Sequence, residues 1–269
     1  MALGFAVALI ILLAADGRAM GGAPDPAYFP LTRITVLYDN VPYSDQCRPQ
    51  WGFSCLIEGG GKTLLFDTGG DGAVLLENMA TLGVDPAKID RVVLSHSHWD
   101  HSVGLEDFLK KRGPVPVHIP ASLPKLHKHD LRQLGAQLVD VSIPAVILPG
   151  VHTTGEMGQA IKEQSLILRT TEGMIVITGC AHPGIVEIVK SARGQFSEPV
   201  LLVMGGFHLL NTGAAQVKAI AAALRELGVL HVAPSHCTGD EAIQIFAGEF
   251  GERFVRSGVG GMLSPEDLK

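Results

Sequence analysis

The sequence predicts an α/β protein: a four-layer αββα sandwich of two mixed sheets with helices on the outside. Three observations carry this. Short β-type runs outnumber helical stretches in both halves of the chain, with helices inserted between them. No short-period repeat or low-complexity linker splits the chain, so residues 31–265 read as one domain. Four strand-like runs each end in histidine, as expected where α/β folds place ligands.

The elements follow in order. "LTRITVLYDN" (31–40) is a strand ending in a turn signal. "GFSCLIEGGGKTLLFDTGG" (52–70) is a pair of strands around a glycine-rich hairpin, the second ending at Asp67. "DGAVLLENMATLG" (71–83) has apolar residues at helical spacing and a terminal glycine. "RVVLS" (91–95) is a buried strand, and "SVGLEDFLKKRG" (102–113) a helix that Gly113 stops. "VPVHIP" is a strand, "ASLPKLHKHDLRQLG" a helix, and "AQLVDV" and "AVILPGVHTTGEM" are strand-like. "QSLILRTTEGMIVITGC" (164–180) is a hairpin and "PGIVEIVKSARG" a helix. "PVLLVMGGFHLL" is a buried strand and "GAAQVKAIAAALRELG" an amphipathic helix. "VLHVAPSHCTGDEAIQIFAGEFG" (229–251) is a strand, a loop and a last helix.

Composition narrows the function classes. Of 269 residues, 46% are hydrophobic and 18% charged, which fits a globular chain with a sizeable core. A net charge of −6 argues against non-specific nucleic-acid binding, which needs lysine and arginine on phosphates. The expected partner is a small-molecule substrate, and the oligomeric state is open. Four cysteines occur without a CxxC pair, which disfavours a cysteine-only zinc knot. Cys47 and Cys55 either bridge in an oxidising compartment or stay free thiols.

Residues 2–15 of "MALGFAVALIILLAADGRAM" are uncharged and almost wholly apolar, too short to span a bilayer comfortably. Residues 1–25 read as a signal peptide or a membrane anchor, placing the protein in the periplasm or outside the cell. If that segment is a start-site artefact, the protein is cytoplasmic.

The chemistry concentrates in "SHSHWDH" (95–101). A spacing of two in an extended segment points His96 and His98 to one face, where both bind one metal ion. Asp100 and His101 lie beyond the turn and reach a second ion. His182, His208 and His236 follow three other strand ends. Imidazole nitrogens and a carboxylate suit Zn²⁺, at about 2.0–2.2 Å.

This motif resembles the H-x-H-x-D-H signature of the metallo-beta-lactamase fold superfamily. "LLFDTGGD", "TGCAHPGIVEIV", "GGFHLL" and "PSHCTGDEA" are similar to one branch of it. That branch is named for 7,8-dihydropterin-6-yl-methyl-4-(β-D-ribofuranosyl)aminobenzene 5′-phosphate synthase. "DNVPYSDQCRPQWGFSCLIE" resembles the branch's opening, and the likeness spans residues 33 to about 257.

The resemblance implies two divalent ions, zinc first and iron or manganese as alternatives. His96, His98 and His182 would bind the first; Asp100, His101 and His236 the second. Asp67 would orient a ligand through hydrogen bonds. Where relatives commonly end a strand in a bridging aspartate, this chain has Cys180, which either ligates or merely packs. His152 competes with His182 as third ligand of the first ion, and His182 is preferred because "GCAHPG" belongs to the branch. Asp100 and His208 are the candidates for contact with the reacting substrate.

The implied activity is hydrolysis of a phosphoester or lactone by a metal-activated hydroxide. The alternatives are the branch's synthase-type transfer, iron-dependent redox chemistry, and a non-catalytic metal-binding protein. β-Lactam hydrolysis is not expected, since substrate choice lives in loops rather than in the fold.

Overall fold

The computed structural model describes residues 28–269. The apolar stretch at 1–25, read as a signal or anchor, lies outside the described residues. Among the described residues, no helix is long and apolar enough to cross a membrane.

The first half begins as an antiparallel meander of β1 (Leu31–Asp39), β2 (Phe53–Gly59) and β3 (Lys62–Phe66). Gly60 and Gly61 make the β2–β3 turn at φ 58° and 70°, which glycine adopts without steric cost. Helix α1 (Gly72–Thr81) is capped by the Asp71 carboxylate, which accepts the N–H groups of Ala73 and Val74 at 2.9 and 3.1 Å. Then come β4 (Arg91–Val93), α2 (Trp99–Ser102), α3 (Gly104–Arg112), β5 (Val115–Pro120), α4 (Lys125–Gln133) and β6 (Ala136–Val141). The helix expected from residue 102 begins earlier and in two pieces. Trp99–Ser102 already turns helically, with the His101 N–H bonded to the His98 carbonyl at 3.1 Å.

The second half has β7 (Ala145–Leu148), β8 (Val151–Thr153), β9 (Leu166–Thr170), β10 (Gly173–Thr178) and α5 (Ile185–Gln195). It continues with β11 (Val200–Gly206), α6 (Ala214–Glu226), β12 (His231–Ser235), α7 (Asp240–Phe250) and β13 (Met262–Leu263). One sheet has the order β13-β1-β2-β3-β4-β5-β6, the other β12-β11-β10-β9-β8-β7. The last strand therefore crosses back to pair with β1.

Alternation along the strands builds the layers. Leu64, Phe66, Ile175 and Ile177 point between the sheets and join one apolar cluster with Val36, Ile57, Leu166 and Met204. Leu65, Val92 and Val117 point outward under α1, α3 and α4. Met174, Val176 and Val203 point outward under α5, α6 and α7. Three apolar clusters separating four layers are the expected αββα sandwich. All four cysteines are free thiols; Cys55 is spent in the inter-sheet core, whereas Cys47 packs beside Gly260.

Candidate metal centre

Both sheets are parallel where it matters. β3 and β4 run parallel in one sheet, and β10, β11 and β12 run parallel in the other. Parallel strands bring their C-terminal ends to one edge. Five such ends deliver Asp67, the 96–101 segment, Cys180 with His182, His208, and His236.

The donors converge. His96, His98 and His182 form one group, with each ligand atom within 4.8 Å of the others. His98 Nδ1 and His182 Nε2 are 3.2 Å apart. Asp100, His101 and His236 form a second group, in which His236 Nε2 is 3.2 Å from His101 Nε2 and 3.4 Å from an Asp100 oxygen. The Cys180 sulfur is 3.1 Å from His101 Nε2 and 3.5 Å from His236 Nε2. It also lies within 4.8 Å of His96, His182 and Cys237 donor atoms, so it stands between the two groups.

Three buried acidic side chains hold this arrangement. Asp67 accepts hydrogen bonds from the Ser95 N–H and hydroxyl, both at 2.6 Å, and pairs with His101 Nδ1 at 2.7 Å. Glu163 accepts three consecutive N–H groups, from Cys180, Ala181 and His182, at 2.9, 2.9 and 2.8 Å. Asp39 accepts the His236 N–H at 3.2 Å, and the Asn40 side-chain oxygen lies 2.8 Å from His236 Nδ1. Gly179 allows the two sheets to meet here: a Cβ on it would lie 2.1 Å from Ser95 Oγ and 2.9 Å from an Asp67 oxygen.

The electrostatics suit a metal. Metal-binding imidazoles must be neutral. Burial and the neighbouring histidines His101, His182 and His98 pull the His96 imidazole far down, and His96 Nε2 has no hydrogen-bond partner although it is buried. Burial, then His208 and His98, lowers His182 to about 4, and burial lowers His98. His101 is the opposite case. Burial pulls it down, but the Asp67 carboxylate overrides this and holds it up at about 9, so a metal bound at His101 Nε2 would displace a proton while Nδ1 stays paired with Asp67. Burial pushes Asp100 up, yet its contacts with His236 and His101 bring it down to about 2, leaving an anionic oxygen among the imidazoles. Nitrogen, sulfur and carboxylate donors in one cluster fit zinc or iron and suit magnesium poorly. The residues present therefore fit a divalent metal ion of this kind.

Backbone strain gathers at the same place. Among the described residues, the non-glycine residues in left-handed conformation are Asp67, Ala181, His208 and His236, at φ 55°, 59°, 54° and 50°. Each costs on the order of 1 kcal/mol, and such outliers cluster at functional sites.

Of the residues singled out in the sequence, His96, His98, Asp100, His101, Cys180, His182 and His236 come together, with Asp67 behind them. His208 stands at the rim with its ring 4.4 Å from that of His182. His152 is not brought to the cluster. It sits inside β8 rather than beyond its end, and alternation sends Val151 to the inter-sheet core and the His152 ring beside Phe196, 4.7 Å away. Sequence reading missed Glu163, Asp39, Asn40 and Cys237. Glu163 and Asp39 look like ordinary acids in the sequence, and only their burial, at 1% and 0% exposure, sets them apart.

The chain is similar to known proteins over most of its length. The model of the metallo-beta-lactamase superfamily matches residues 52–186. The chain is 32% identical to 7,8-dihydropterin-6-methyl-4-(beta-D-ribofuranosyl)-aminobenzene-5'-phosphate synthase of Methanocaldococcus jannaschii, over 84% of this chain and 94% of that protein. It is similar to a solved metal-dependent hydrolase of the beta-lactamase superfamily, with a TM-score of 0.75 and 29% identity, covering 87% of this chain and 98% of that one. The short form of human tRNase Z shares the fold, with a TM-score of 0.62 and 14% identity, covering 86% of this chain and 98% of that one.

Proposed function

The chain belongs to the metallo-beta-lactamase superfamily, and from that premise we propose that it is a metal-dependent hydrolase of a small phosphoester or lactone. One observation carries this reading: two donor groups, His96, His98, His182 and Asp100, His101, His236, close around the Cys180 thiol. The likeness to a solved metal-dependent hydrolase supports it. Two divalent ions, zinc by preference and iron or manganese otherwise, would supply Lewis acidity towards a substrate oxygen and a water of lowered pKa.

The chain's own residues do the rest. The neutral imidazoles of His96, His98 and His182 present lone pairs to one ion. Asp100 and His236, with His101 fixed by Asp67, present theirs to the other. The Cys180 sulfur contributes to the second group. The anionic Asp100 oxygen accepts a hydrogen bond, and His208, exposed at the rim, hydrogen-bonds the departing group.

A second reading rests on the archaeal relative, whose name describes a synthase of a dihydropterin–ribofuranosylaminobenzene phosphate. The same centre would then polarise a phosphate-bearing substrate for group transfer. Elemental analysis of the purified chain, followed by turnover assays with phosphodiesters, lactones and the synthase's substrates, separates the two. About two ions per chain and hydrolysis supports the first reading. Two ions with product formation only from the synthase's substrates supports the second. Failure to take up metal overturns both.

A further inference from the structure

The chain contains two tryptophans, Trp51 and Trp99, and both are solvent-accessible beside the metal centre. Trp51 stands with its ring 4.9 Å from that of His236 and is 37% exposed. It walls a cavity of about 250 Å³ whose other lining residues are His208, Leu210, Asn211, Thr212 and Cys237. His208 and Cys237 belong to the donor cluster's rim, so the cavity opens directly onto the centre. Leu210, 56% exposed, adds an apolar side chain to the lining.

The walls are fixed before any ligand arrives. The Leu209 and Leu210 N–H groups donate to the Cys237 carbonyl at 3.1 and 3.2 Å, and the Phe207 N–H donates to Thr238 Oγ1 at 3.0 Å. These bonds tie the loop after β11 to the turn after β12. His208 is held between them in its left-handed conformation. Among the described residues neither lysine nor arginine lines the cavity, and the Trp51 indole is the one aromatic carbocycle in its wall.

We propose that this cavity binds a flat aromatic ring of the substrate against the Trp51 indole, with Leu210 as the facing apolar wall. Asn211 and Thr212 supply hydrogen bonds to the ring's polar edge. The electrophilic group then lies over the donor cluster. The substrate class is an aryl or heteroaryl ester, and this rests on the hydrolase reading above.

The test uses the zinc-loaded full chain with phenyl phosphate and propyl phosphate as probes. Binding of each is measured by calorimetry, and quenching of tryptophan fluorescence is recorded alongside. Phenyl phosphate is expected to bind about tenfold tighter, the worth of one good aromatic contact. Trp51→Leu should collapse that preference with metal content unchanged, whereas Trp51→Phe should keep most of it. Equal affinities, no binding of either probe, or a preference that survives Trp51→Leu overturns the proposal. Turnover is followed on the same samples. A binding preference without hydrolysis removes the hydrolase reading and leaves the ring site standing; hydrolysis without a preference does the reverse.

Discussion

The two halves of the candidate metal centre are built differently. The first comes from one stretch, 95–101, in which His96, His98, Asp100 and His101 follow a single strand. The second comes from separate strand ends, with Cys180 and His182 after β10 and His236 after β12. Local spacing does much of the work in the first half, and Asp67 with Ser95 completes it. In the second half nothing local aims the donors. Remote groups do so: Glu163 at the 180–182 loop, and Asp39 with Asn40 at His236. A dense motif needs one brace, while donors scattered along the chain need one brace each.

Asp67→Asn should be the most damaging single change to the first half. It removes the charge paired with His101 and sets an amide N–H₂ against Ser95 or His101. Metal affinity should fall by about 100-fold, the upper range for partners behind metal ligands. Competition with a chelator measures it, and a loss below threefold would show that Asp67 does not brace the first half. Glu163→Gln comes next. One of three N–H bonds should be lost or weakened, lowering metal affinity about tenfold and stability by about 1–3 kcal/mol. Glu163→Asp should restore part of both if the carboxylate acts as a brace. His182→Ala should reduce metal content by about one ion per chain, whereas His152→Ala should leave it unchanged. Equal losses in elemental analysis would reassign the third ligand.

The smallest effect concerns pH and a residue away from the centre. Burial, then Arg91, lowers His118 to about 4. Its folded form stays neutral while the unfolded chain takes up a proton below about 6.5. Stability should therefore be complete above pH 6.5 and fall as pH drops towards 4, by at most about 3 kcal/mol from this group. His118→Leu should flatten that part of the profile in urea titrations of the metal-free protein. An unchanged slope would show that other groups set it.

Much of this was legible in the chain itself. The αββα layering follows from short apolar runs such as "KTLLF" and "GMIVIT" and from the helical spacing between strands, because both are local patterns. The 96–101 donors are legible for the same reason. Which distant histidine joins them is not a local property: His182 and His152 differ in whether they stand beyond a strand end or within it, and that depends on register. Glu163 was invisible because its role is to accept hydrogen bonds from residues 17 to 19 positions onward, a relation set by folding alone. The helix start at Trp99 was missed because it rests on backbone bonds from His101 to His98 and from Val103 to Trp99, which no residue type signals.

The left-handed residues at Asp67, Ala181, His208 and His236 have an evolutionary consequence. Glycine would relieve the steric conflict at each of them, and selection for a sturdier fold alone would favour relief of that kind. At Asp67, His208 and His236 such a change would delete the side chain that the site uses. A lineage drifting towards heat resistance without selection for turnover should therefore lose its chemistry first, at these positions, while the sandwich persists.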